Sequence, residues 1–120
     1  MIVSTNVNYS YDVLNSNLLG LKNAFPFLEM GTIGYSVFGR PIPYVRLGYG
    51  GNKVFYCGSF HANEWITSPV LMKFIEDFCT AVVNDSDIFG IRAQGIFDYS
   101  SIYIVPMVNP DGVDLVTRFF

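Results

Sequence analysis

The stretch VFYCGSFHANEW, Val54 to Trp65, decides how this chain is read. Its first half is a continuous apolar run of the kind that forms a strand buried on both faces, and the strand is read as Lys53 to Phe60. Its second half carries His61, the one histidine in the sequence, and Glu64 three residues later. A helix is expected directly afterwards, with Thr67 or Ser68 as its cap. Pro69 falls in its first turn, where a missing amide hydrogen does no harm. A strand end followed by a loop lets two side chains three residues apart converge. An imidazole beside a carboxylate is then half of a zinc donor set, since catalytic zinc usually takes three protein ligands and a water.

Downstream, Val70, Leu71, Phe74, Ile75, Phe78 and Val82 define the apolar face of a helix running to about Val83. The NDSD run at Asn84–Asp87 is a polar turn, and Ile88 to Phe97 is compatible with a short helix. SIYIVPMV, Ser101 to Val108, reads as a second buried strand, and Asn109-Pro110-Asp111-Gly112 as a tight β-turn. Upstream, Tyr11, Leu14, Leu18, Leu21 and Phe25 recur at helical spacing within Tyr9–Phe25, with Ser10 or Asp12 as cap. Pro26 ends that helix. Glu29–Ser36 and Pro43–Leu47 form a hairpin through a turn at Val37–Gly39, and Tyr49 to Asn52 (YGGN) is a further turn.

Strands alternating with crossover helices make an α/β fold with a mixed sheet and flanking helices. The strands beginning near Lys53 and Ser101 are then parallel. His61, Glu64 and the NPDG turn share the C-terminal side of the sheet, where open α/β sheets bind ligands.

Composition narrows the function. The 120 residues are 51% hydrophobic and 17% aromatic but only 14% charged, against about 25% in ordinary domains. This suits the interior-rich part of something larger, or a subunit that covers surface with a partner. A net charge of −3 with seven scattered basic residues argues against nucleic acid. No apolar run reaches the roughly 18 residues of a membrane span. The first residues show no signal-peptide pattern, so a cytoplasmic setting is expected. Cys57 and Cys79 read as buried small hydrophobes rather than a disulfide. Ser36 and Ser59 lack a G-x-S-x-G elbow, Cys57 lies inside a strand, and the GYGG turn lacks a P-loop lysine.

Three segments taken together resemble the zinc carboxypeptidases: TIGYSVFGRPI at Thr32–Ile42, HANEW at His61–Trp65 and VPMVNPDGVDLV at Val105–Val116. They occur in that family's order. The run HANEWITSPVLMKFIEDF is similar to the bacterial branch acting on γ-D-glutamyl-diaminopimelate bonds of cell-wall peptides. The resemblance implies that His61 and Glu64 are the first two zinc ligands, that zinc is the cofactor and that a peptide is the substrate. It also implies a third ligand histidine, a substrate-binding Asn-Arg pair, a pocket tyrosine and a general-base glutamate later than the NPDG turn, none of which this chain contains. Residues 1–120 are therefore expected to be the N-terminal portion of one catalytic domain, truncated and inactive alone, with no catalytic residue of their own. Asn63 stands where digestive carboxypeptidases carry arginine, so their substrate contacts do not transfer, and the likeness fades in the VTRFF tail. The alternative is a non-catalytic peptide-binding module or pseudoenzyme. An aspartoacylase-type deacylase fits the NPDG and Gly39-Arg40 segments less well. An uncovered apolar sheet is expected to self-associate or stay molten.

Overall fold

A computed structural model describes residues 1–119. Helix α1 (Tyr11–Ala24) opens at Ser10, whose hydroxyl accepts from the Val13 amide, and ends before Pro26. Strands β1 (Glu29–Tyr35) and β2 (Pro41–Leu47) form the antiparallel hairpin, and β3 (Asn52–Cys57) follows the glycine turn. A single 3-10 turn at Ala62–Glu64 leads into α2 (Thr67–Val83). A two-residue hairpin of β4 (Asp87–Ile88) and β5 (Ile91–Arg92) precedes α3 (Ala93–Tyr99), β6 (Ser100–Val105) and α4 (Pro110–Phe119). The segment Ile88–Phe97 thus divides into the end of a hairpin and most of a short helix.

The main sheet has the order β1-β2-β6-β3, with β6 antiparallel to β2 and parallel to β3. Val54 lies opposite Ile102, and Cys57 opposite Val105. The mixed α/β architecture and the parallel pair are as the sequence implies. Leu14, Leu18 and Leu21 of α1 join Met72, Ile75, Phe78 and Cys79 of α2 and Val45, Leu47, Ile102 and Ile104 of the sheet in one core. The buried Glu76 carboxylate anchors the N-terminal segment, accepting from the Ile2 amide at 2.7 Å and the Val3 amide at 2.9 Å.

Three readings need correction. The strand buried on both faces is β6, not β3: β3 is an edge strand, with Phe55 57% and Tyr56 49% exposed. An apolar run is necessary for central burial but does not determine which strands lie alongside. Val70 is exposed, while Met72 and Cys79 are fully buried, so the buried face of α2 is turned from the one read by spacing. Thr67 and Ser68 do not cap α2: Ile66 occupies that position and makes no side-chain cap bond. Their hydroxyls serve the adjoining loop instead. Both cysteines are free, Cys79 buried and Cys57 half-buried. Burial pushes the Cys79 thiol up to about 12. No helix among the described residues is long and apolar enough to cross a membrane.

Candidate metal centre

His61 and Glu64 lie in the loop at the C-terminal end of β3. The chain leaves β3 through Gly58, where an added Cβ would meet Thr67 Oγ1 at 2.9 Å and Leu71 Cδ1 at 3.0 Å. Glycine therefore lets the start of α2 close against the strand end. Ser59 follows with φ 55°, a left-handed conformation unfavourable for a residue with a side chain. Four bonds hold it there. Its amide donates to Thr67 Oγ1 at 2.8 Å, and its hydroxyl pairs with Ser68 Oγ at 2.6 Å. Thr67 Oγ1 donates to the Glu64 carbonyl at 2.9 Å, and Ser68 Oγ donates to the Pro106 carbonyl at 2.6 Å. This hydroxyl cluster locks the β3 exit, the start of α2 and the β6 exit into one unit.

The Glu64 amide donates to the His61 carbonyl at 2.9 Å, which closes the 3-10 turn. That turn swings the two side chains together, with His61 Nδ1 3.0 Å from Glu64 Oε1. Both face outward, their side chains 77% and 56% exposed. A shallow cleft of about 340 Å³ adjoins them, lined by Cys57, Ser59, Phe60 and Thr67 among others. A larger apolar groove of about 710 Å³ lies between β3 and α2, lined by Tyr56, Val70, Phe74 and Phe89. It contains neither His61 nor Glu64.

The NPDG segment is not a free β-turn. Pro110 begins α4, and Asn109 Oδ1 accepts from the Gly112 amide at 3.0 Å as an N-terminal cap. Asp-Gly after Asn-Pro satisfies helix-start chemistry as well as turn chemistry, and tertiary packing selects the helix. A Cβ on Gly112 would lie 3.0 Å from Ala62 Cβ and 2.5 Å from Asn109 Nδ2, so glycine here lets α4 sit against the HANE turn. The Asn109 amide donates to the Ser59 carbonyl at 3.0 Å, and Val108 to Gly58 at 2.9 Å.

Asp111 joins the first and third motifs. Its carboxylate accepts from Arg40 Nη1 at 2.6 Å, Ser36 Oγ at 2.9 Å and the Phe38 amide at 3.0 Å. Burial works to raise this carboxyl, but the Phe38 amide, the Arg40 guanidinium and the Ser36 hydroxyl together hold it below its ordinary value. Arg40 is held above its own ordinary value, chiefly by the Asp111 bond. The FGR turn and NPDG therefore form a structural clamp behind the loop. The sequence showed both segments without showing that they touch, because an Arg–Asp pairing 71 residues apart leaves no periodic trace.

Zinc binds nitrogen and oxygen ligands at about 2.0–2.1 Å, so two donors at the tetrahedral angle stand about 3.3 Å apart. The 3.0 Å spacing of His61 Nδ1 and Glu64 Oε1 fits such a chelating pair. The donor set stops at two: among the described residues, no group of three or more His, Cys, Asp or Glu is placed to hold a metal ion.

A mixed sheet with a polar site at the C-terminal end of its parallel strands defines the class, that of open α/β proteins with strand-end ligand sites. The profile of the zinc carboxypeptidase family matches residues 14–118, and the chain belongs to that family. The match continues past Val116, into the tail where the motif likeness fades, and Phe120 lies outside the described residues. The chain is 41% identical over 115 residues to γ-D-glutamyl-L-diamino acid endopeptidase 1 of Lysinibacillus sphaericus, covering 96% of this chain and 29% of the relative. It is 40% identical over 110 residues to the uncharacterised protein YqgT of Bacillus subtilis (strain 168), covering 90% of this chain and 29% of YqgT. The chain thus spans under a third of these curated relatives. The structure of bovine thrombin-activatable fibrinolysis inhibitor, in complex with tick carboxypeptidase inhibitor, superposes with a TM-score of 0.76 at 20% identity. It covers 92% of this chain and 34% of that one, and shows a common fold.

Proposed function

We propose that residues 1–120 are the N-terminal portion of one peptidase catalytic domain, and that His61 and Glu64 are two of its zinc ligands. The observation carrying this reading is the 3.0 Å approach of His61 Nδ1 to Glu64 Oε1 at the end of a parallel strand. The substrate class proposed is a γ-D-glutamyl-diaminopimelate cell-wall peptide, supported by the endopeptidase of L. sphaericus at 41% identity. When bound, zinc supplies Lewis-acid polarisation of a scissile carbonyl and of a water.

This chain's own contribution is positioning. The hydroxyl cluster of Ser59, Thr67 and Ser68 holds the loop, the Asp111–Arg40 clamp backs it, and the Glu64 carboxylate brings negative charge to the imidazole. No residue here is assigned as general base, so the isolated chain is proposed to be inactive. Two unpaired cysteines suit the reducing cytoplasm proposed for it. Self-association is proposed through the exposed apolar face of β3 and the adjoining groove.

Metal analysis of the purified chain after dialysis against zinc tests the ligand assignment. Zinc retained by the wild type and lost in His61→Ala is the expected result; equal retention would overturn the assignment. Chelator-sensitive hydrolysis of a γ-D-glutamyl-diaminopimelate peptide by the isolated chain would overturn its proposed inactivity.

A further inference from the structure

The loop that carries His61 begins where regular strand pairing stops, with β3 ending at Cys57 and β6 at Val105. The ladder nevertheless continues past both ends. The Gly58 amide donates to the Val105 carbonyl at 3.0 Å, the Val108 amide to the Gly58 carbonyl at 2.9 Å, and the Asn109 amide to the Ser59 carbonyl at 3.0 Å. Asn109 then adds one more rung with its side chain, Nδ2 donating to the Phe60 carbonyl at 3.3 Å. The consecutive carbonyls of Gly58, Ser59 and Phe60 are thus taken by Val108 and Asn109 alone, and the last of them belongs to the residue bonded to His61.

The same side chain also starts α4, with Oδ1 accepting from the Gly112 amide at 3.0 Å. An asparagine amide carries a carbonyl oxygen and an amino group on one carbon, so it can accept from Gly112 and donate to Phe60 at once. Serine and aspartate serve a helix N-terminus as acceptors equally well. Aspartate, however, has no hydrogen to donate, and the serine hydroxyl ends one bond short of the asparagine nitrogen. Capping α4 does not by itself require asparagine here; capping α4 while tying down the Phe60 carbonyl does.

We propose that Asn109 is a positioning residue for the His61–Glu64 pair, acting through the Phe60 carbonyl; the inference rests on the reading of those two residues as zinc donors. The 3-10 turn at Ala62–Glu64 is closed by the bond from the Glu64 amide to the His61 carbonyl, so the direction of the imidazole depends on how the chain enters that turn. The hydroxyl cluster holds the entry from the α2 side, and Asn109 holds it from the α4 side. Gly112, where an added Cβ would lie 3.0 Å from Ala62 Cβ, seats α4 against the same turn. Groups that orient a ligand without touching the metal change its affinity, and Asn109 is placed to do so.

Asn109→Ser and Asn109→Asp separate the two tasks, since both keep the cap and lose the Phe60 bond. Thermal melts and hydrogen exchange at the Gly112 amide report on α4. The nuclear Overhauser effect between the His61 ring and the Glu64 side chain, measured in the metal-free chain, reports on the pair. Zinc affinity, by competition with a chromogenic chelator, is read on Asn109→Ser, which leaves the charge of the site unchanged. The expected result is wild-type melting and Gly112 exchange in both variants, with a weakened Overhauser effect in both. The zinc dissociation constant should rise about fivefold in Asn109→Ser. Asn109→Ala, which loses the cap as well, should in addition exchange faster at Gly112. An unchanged pair and unchanged zinc affinity in Asn109→Ser would overturn the positioning role and leave Asn109 as a helix cap. A loss that appears only together with faster Gly112 exchange would overturn it too, because an unseated α4 would then account for it. A wild-type chain that binds no zinc, with an Overhauser effect that still depends on Asn109, would overturn the donor assignment and leave the positioning role standing.

Discussion

Ser68→Ala probes the step that turns a strand end into a site. The Ser68 side chain is fully buried, donates to the Pro106 carbonyl at 2.6 Å and pairs with Ser59 Oγ at 2.6 Å. Each bond is worth about 1 kcal/mol net, and a buried carbonyl left without its donor adds about 1–3 kcal/mol. The better helix propensity of alanine returns about 0.5 kcal/mol. The sum is a loss of about 2.5–4.5 kcal/mol, which also weakens the restraint on Ser59 at its positive φ. Equilibrium urea unfolding followed by the fluorescence of Trp65, the only tryptophan, reads it out. With a slope of about 2 kcal/mol per molar urea, the middle of the usual range, the midpoint should fall by about 1–2 M at unchanged slope. Thr80→Ala, which removes only a bond to the Glu76 carbonyl one helical turn back, should stay within about 0.5 kcal/mol. A Ser68→Ala shift no larger than that of Thr80→Ala would refute the hydroxyl-cluster argument. A broad, non-cooperative wild-type transition would refute the fixed packing on which it stands and favour the molten state.

Two further outcomes follow from the clamp and the open edge. Because Asp111 is held below its ordinary value in the folded chain, it stabilises the fold above its unfolded pKa of about 4, and that stabilisation disappears as pH falls through the lower folded value. Thermal melts should therefore show Asp111→Asn less stable than wild type at neutral pH, with the gap closing in acid; a constant gap would count against the clamp. Tyr56→Lys places a charge on the exposed edge strand beside the apolar groove, a device that blunts edge pairing. Light scattering against concentration should show less association than wild type in the presence of chelator, and an unchanged profile would remove β3 from the contact.

Much of this architecture is local and was legible in the chain. The stripe from Leu14 to Phe25 with Ser10 before it and Pro26 after it gives α1, because spacing, cap and breaker all act within a turn or two. The hairpin around Gly39 and the apolar run before His61 are equally local. The adjacency of His61 and Glu64 follows from a three-residue spacing at a strand end. Reading β3 as the central strand failed because its neighbours are long-range: VFYC and SIYIV have the same apolar character, and only the order β1-β2-β6-β3 makes one central and the other an edge. NPDG is ambiguous between turn and helix start, and the approach of Gly112 to Ala62 decided for the helix. Thr67 and Ser68 have cap chemistry, but the left-handed Ser59 and the Pro106 carbonyl, brought close by the β3–β6 pairing, drew their hydroxyls away.

By itself, then, the sequence determined the α/β class, the helices and hairpin, and the imidazole–carboxylate pair, through interactions spanning a few residues. Tertiary structure decided which strand is buried, what the hydroxyls of Ser59, Thr67 and Ser68 do, and that Asp111 of one motif grips Arg40 of another. Those outcomes depend on which distant segments meet in the fold, and a donor whose acceptor lies 38 or 71 residues away carries no mark of it in its own neighbourhood.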